Sequence, residues 1–75
     1  MVAKKGNLIQ LGNGTQFLVD DIQNVDGVDY IIAFLLEERL FAIAVEETIN
    51  DQLTYRFLNK DESLKIAIAI DNKNK

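Results

Sequence analysis

The chain has 75 residues, enough for one small domain spanning 1–75 with a single core. Apolar residues make up 48% and charged residues 27%, a globular mix; the absence of Cys, His, Pro and Trp excludes disulfides, zinc or haem ligation, and chemistry built on a thiol or an imidazole. Twelve acids against eight bases give a net charge of −4, which repels phosphate backbones and anionic membranes, so neither is an expected partner.

Lys4 and Lys5 are not followed by the apolar stretch of a signal peptide, because Gln10 and Gly12 interrupt residues 8–12. The longest apolar run, residues 30–36, falls far short of the roughly 20 residues that span a bilayer. A cytoplasmic location is expected, with residues 1–6 and 71–75 frayed. Asn13-Gly14-Thr15 has the form of a glycosylation acceptor, but without a secretion signal it reads as a turn.

Gly, Asn and Asp punctuate the chain about every ten residues, the spacing of short antiparallel strands. The first strand is expected over residues 7–11, followed by a tight turn at Gly12-Asn13-Gly14. A second covers residues 15–23 and carries Phe17, Leu18, Val19 and Ile22. Asn24-Val25-Asp26-Gly27 then supplies an Asp-Gly hairpin turn. In the third strand, residues 28–36, Val28, Tyr30, Ile32, Phe34 and Leu36 share one face, and Asp29, Ile31, Ala33 and Leu35 the other. Glu37-Glu38-Arg39 makes a charged reversal into residues 40–47, where Phe41, Ile43 and Val45 oppose Leu40, Ala42 and Ala44. A fifth strand is expected over residues 52–58.

Strands three and four are thus apolar on both sides, and a sheet with one wet face would not be. The second face needs a cover: closure into a barrel, the C-terminal segment, or another subunit. Residues 61–70 have two readings. As a strand, Leu64, Ile66, Ile68 and Ile70 line one side; as a helix, Asp61 caps the start and Glu62 suits the positive end of the dipole. Strict alternation and three isoleucines favour the strand. A competing reading makes residues 30–47 one long helix, but the Glu37-Glu38-Arg39 break and the β-branched and aromatic content oppose it. The expected fold class is mainly β: a small antiparallel meander or SH3-like barrel of five to six strands, its C-terminal segment a strand or short helix.

No catalytic residues are identified. The hydroxyls lie in no nucleophile motif, and neighbouring carboxylates on a strand point to opposite faces. Setting Gly27 at the sixth place of a calcium loop puts Ile22 first and Ala33 last, where carboxylates are required. No metal and no cofactor are therefore expected. Gly12-Asn13-Gly14 lacks the residues of a phosphate cradle, and the aromatics have no basic groove beside them, so they read as core.

The order of features in Gly14-Thr15-Gln16-Phe17-Leu18-Val19 and Val25-Asp26-Gly27-Val28-Asp29-Tyr30-Ile31-Ile32 resembles small proteins of low-GC Gram-positive bacteria and their phages, among them the family labelled DUF1292. The likeness covers residues 12–64. It implies an architecture in which the acidic step Asn59-Lys60-Asp61-Glu62 leads into a short helix, and it transfers no activity. The chain departs from that pattern in being less acidic and in its Ile-Ala repeat.

The expected function is a non-enzymatic protein-protein interaction module that associates with itself or with another protein. Its extra buried surface is assigned to Ile31, Ala33, Leu35, Ala42 and Ala44, or to their alternates if the faces are exchanged. The alternative is a phage-borne or host-directed inhibitor, an acidic decoy for a nucleic-acid-binding enzyme. That reading requires Asp20, Asp21, Glu37, Glu38, Glu46 and Glu47 to share one exposed surface.

Overall fold

Five strands and one helix follow one another in a computed structural model that describes residues 1–75. The strands are β1 (Leu8–Gln10), β2 (Gln16–Val25), β3 (Val28–Leu35), β4 (Leu40–Ile49) and β5 (Gln52–Phe57), and the helix is α1 (Lys60–Lys73). Every strand pairs antiparallel with its sequence neighbours, giving the order β1-β2-β3-β4-β5. The fold is the mainly β meander, curled into a half-barrel whose two edges, β1 and β5, do not pair. Residues 30–47 are two strands, not one helix.

Two reversals set the register. Asp26 and Gly27 both have positive φ (52° and 84°), as do Asn50 and Asp51 (51° and 63°). Paired left-handed residues make the two-residue turn whose twist matches that of the flanking strands, and Asn and Asp tolerate it best after Gly. The turns clamp Val25 opposite Val28 and Ile49 opposite Gln52.

β2 contains an irregularity that rescues its apolar pattern. Val19 pairs with Ala33 and Asp21 with Ile32, leaving Asp20 as an extra residue in a bulge. Strict alternation after Phe17 and Val19 would send Asp21 to the core and Ile22 away from it. The bulge reverses the phase, and Ile22 lies opposite Ile31 on the core side.

The core fills the concave face. Phe17, Val19, Ile31, Ala33, Ala44 and Ala3 are buried there, with Ile9, Leu11, Ile22, Leu35, Tyr55 and Phe57 packed against them. Ala3 arrives on a segment expected to fray. The structure instead holds it down: Gly6 donates its N–H to the Val19 carbonyl at 2.8 Å, and the Val2 and Ala3 N–H groups donate to the Glu46 carboxylate at 2.7 and 2.9 Å. This strap carries the chain from β2 across the concave face to β4.

The C-terminal segment is a helix, correcting the preference for a sixth strand. Its start is not Asp61 but Asn59, whose side chain accepts the Glu62 N–H at 2.8 Å, while the Glu62 carboxylate accepts the Asn59 N–H at 3.3 Å. That reciprocal box, with Asp61 and Glu62 in the first turn and Lys73 in the last, outweighs the β preference of three isoleucines. The helix continues through 71–73, also expected to fray, and the Lys73 ammonium donates to the Asn24 carbonyl at 2.8 Å.

Candidate interaction surface

Because directly paired residues project to one face, the register defines the outer side of the sheet. Leu8 pairs with Leu18, Leu18 with Phe34, and Phe34 with Phe41, an apolar row across four strands. The Phe34 and Phe41 rings lie 5.1 Å apart, tilted by 57°. Ile32 and Ile43 form the next rank. A meander with a wet outer face would carry polar groups at these positions.

The helix covers this face incompletely. Its half-buried residues, Glu62, Ser63, Ile66, Ala69 and Ile70, repeat at helical spacing toward the sheet, yet none is fully buried. A groove of about 720 Å³ remains between α1 and the sheet, walled by Ile32, Ile43, Leu58, Ala67 and Ile70. Phe41 and Leu64 also line it and remain 59% and 62% exposed. Its polar lining consists of Lys60 and Ser63, with no carboxylate. A second hollow of about 320 Å³ lies along Tyr30, Val45, Arg56 and Ile66.

Four of the five residues assigned to the extra surface are therefore on the wrong side. Ile31, Ala33 and Ala44 are fully buried, and Leu35 packs against that core. Ala42, half-buried, lies opposite Ala33 in the register but also lines the groove. The faces are exchanged because Phe17, Val19 and Ile9 from β2 and β1 sit over the concave side. The Ile32, Phe34, Phe41 and Ile43 set takes the outer position. Alternation alone distinguishes the two sets but cannot say which is inside. The signal that decides is size: the alanines of one face (33, 42, 44) suit the crowded inside of a curl.

The six carboxylates do not share a surface, so the decoy reading lacks the arrangement it requires. Glu46 and Glu47 project to opposite faces: Glu46 accepts from the N-terminal strap, whereas Glu47 lies 3.4 Å from Arg56 on the outer side. Glu37 and Glu38 occupy the β3–β4 turn, and Asp20 and Asp21 lie at the β2 bulge. No group of three or more His, Cys, Asp or Glu is placed to hold a metal ion.

Glu46 is the one polar centre that reasoning from sequence missed. The Tyr55 hydroxyl donates to its Oε2 at 3.0 Å, alongside the two strap N–H groups. Burial works against the charge, but the donors from Val2, Ala3 and Tyr55 prevail and hold the carboxyl below its ordinary range. Burial and the neighbouring carboxylate push the Tyr55 phenol up to about 12. These groups are mutually satisfied and close the concave face, which is a structural duty.

No helix is long and apolar enough to cross a membrane. Comparisons with protein-family models, curated proteins and solved structures gave no match.

Proposed function

We propose that this protein is a non-enzymatic interaction module that associates with a second copy of itself through the outer face of its sheet and α1. The observation that carries this reading is the incompletely covered groove, with Phe41 and Leu64 projecting beside it. A two-fold interface needs one patch to hold both a projection and the hollow that receives it. Here the aromatic ridge and the groove are neighbours on one face. Charge favours the same geometry. Two chains of net −4 repel, and the groove is a surface on which no acid must be desolvated.

The test is sedimentation from low micromolar to near-millimolar concentration, comparing the native chain with Phe41→Asp. The native chain should associate reversibly, and the variant should associate far more weakly at an unchanged unfolding midpoint. A native chain that stays strictly monomeric at the highest concentration overturns the proposal.

A further inference from the structure

The two unpaired edges of the sheet are finished differently. In a two-residue hairpin the residues flanking the turn exchange hydrogen bonds, and bonded pairs then alternate along the strands. Beyond β1, the upper part of β2 would offer the outward backbone groups of Ile22 and Asn24. One group of each is engaged: the Ile22 N–H donates to the Asp21 carboxylate at 2.8 Å, and the Asn24 carbonyl accepts from Lys73, which leaves the Ile22 carbonyl and the Asn24 N–H open. The Asp20 bulge adds a local twist. Such devices are the means by which sheet edges avoid pairing with other chains.

β5 has none of them. Ile49 and Gln52 flank its turn, and the Leu58 N–H donates to the Ile43 carbonyl at 2.9 Å, which fixes the alternation. The N–H and carbonyl groups of Leu53, Tyr55 and Phe57 therefore point away from β4, and no backbone or side-chain group of the chain bonds them. The strand has no Pro, Gly, Lys or bulge, and Leu53 is 45% exposed.

We infer that this edge is a second self-association surface, at which β5 pairs antiparallel with β5 of another copy about a two-fold axis at Tyr55. The strand is self-complementary in that register. Leu53 faces Phe57 of the other copy, so the exposed leucine gains an apolar neighbour, and each of the three free residues both gives and receives a bond. Arg56 faces Thr54 of the other copy, so no like charges meet. Arg56 is also already balanced within its own copy by Glu47 at 3.4 Å and Glu62 at 3.5 Å. The inference shares its partner with the function proposed above but uses a separate surface.

Residue-resolved amide exchange on the native chain at low and high concentration tests it without altering the fold. Expected is slower exchange at Leu53, Tyr55 and Phe57 as concentration rises, by roughly tenfold or more. Thr54, Arg56 and Leu58 should be protected throughout. Leu53→Pro, which removes an outward N–H and leaves the β4 ladder intact, should weaken association by roughly tenfold, since each symmetric pair loses two bonds. Association with no change at the three odd-numbered amides overturns the edge and leaves the outer-face proposal standing. Absence of association at any concentration overturns both. Slowing at these amides only when an unrelated extended peptide is added makes the edge a peptide receptor and overturns pairing between copies.

Discussion

Phe17 and Phe57 meet edge to face, their ring centroids 5.5 Å apart and their planes at 75°, although β3 and β4 lie between their strands. At about 4.8 Å per strand a flat sheet would separate them by roughly 14 Å, so this contact is a direct measure of the curl. Tyr55 closes on the same ring at 5.7 Å. One buried phenylalanine on β2 thus holds the far side of the half-barrel, and this is what leaves the opposite face turned outward.

Phe17→Ala should cost about 3–5 kcal/mol, the usual range for truncating a buried aromatic. Small domains are only marginally stable, so urea unfolding should find the variant largely unfolded or at the edge of folding. Phe17→Leu should fold with a smaller loss. Phe41→Ala, on the exposed side, should cost about 1 kcal/mol or less, chiefly its contact with Phe34. Equal costs at the two positions would contradict the assignment of faces.

Glu46 should make the fold sensitive to acid. Its folded carboxyl is the stronger acid relative to the ordinary 4.5. Ionised Glu46 therefore stabilises the fold above that value, and the contribution is lost as pH falls through the depressed folded value. Asp21, held below its ordinary 3.8 by Gln23 and the Ile22 N–H, acts in the same direction at lower pH. Glu46→Gln should remove about 1–3 kcal/mol at neutral pH, because an acceptor facing donors becomes a donor. It should also flatten the pH dependence between neutral and acid.

The same pair predicts alkaline behaviour. Tyr55 is raised from 10.0 to about 12, so its contribution is complete below pH 10 and is lost as pH climbs toward the folded value. Phenolate absorbance should show one tyrosine ionising late, and in Glu46→Gln that step should move back toward 10. A native chain in which Tyr55 ionises near 10 would contradict the Glu46–Tyr55 contact.

Much of the meander was legible because its signals are local. Asp26-Gly27 marks a turn by itself, and alternation in residues 28–35 needs no tertiary information. The helix was harder: Leu64, Ile66, Ile68 and Ile70 fit a strand, and the deciding feature is the exchange between Asn59 and Glu62 outside the apolar run. Which face of β3 lies inside was not legible from alternation, because it depends on where β1, β2 and the strap close over the sheet; only the small side chains at 33, 42 and 44 signal it. The Glu46 centre escaped for the same reason, since two of its three partners, Val2 and Ala3, lie 44 and 43 residues away.

The Asn59–Glu62 box can be tested directly. Asn59→Ala should cost about 1 kcal/mol and fray the first turn of α1, seen as reduced helical ellipticity. Asn59→Asp should retain both, because a carboxylate accepts the same N–H and suits the positive end of the helix dipole. Since α1 buries no residue fully, the sheet should survive the Ala variant, with the Phe17 environment unchanged by near-ultraviolet dichroism or side-chain resonance shifts.

Deleting Asp20 offers a sharper check on how β2 is protected. The bulge exists because two residues, Asp20 and Asp21, separate Val19 from Ile22 where regular alternation allows one. Removing Asp20 leaves Phe17, Val19 and the former Ile22 in strict alternation, so the core face and the pairing of Asp21 with Ile32 should both persist. The domain should fold, and deletion of other β2 residues, such as Leu18, should not be tolerated because it exchanges faces. The cost of the Asp20 deletion is expected at the edge: without the bulge β2 runs straighter and should pair more readily with other chains, raising aggregation on heating. A deletion variant that fails to fold would mean that the bulge does more than restore the core phase of β2, and its account as a dispensable edge guard would fall.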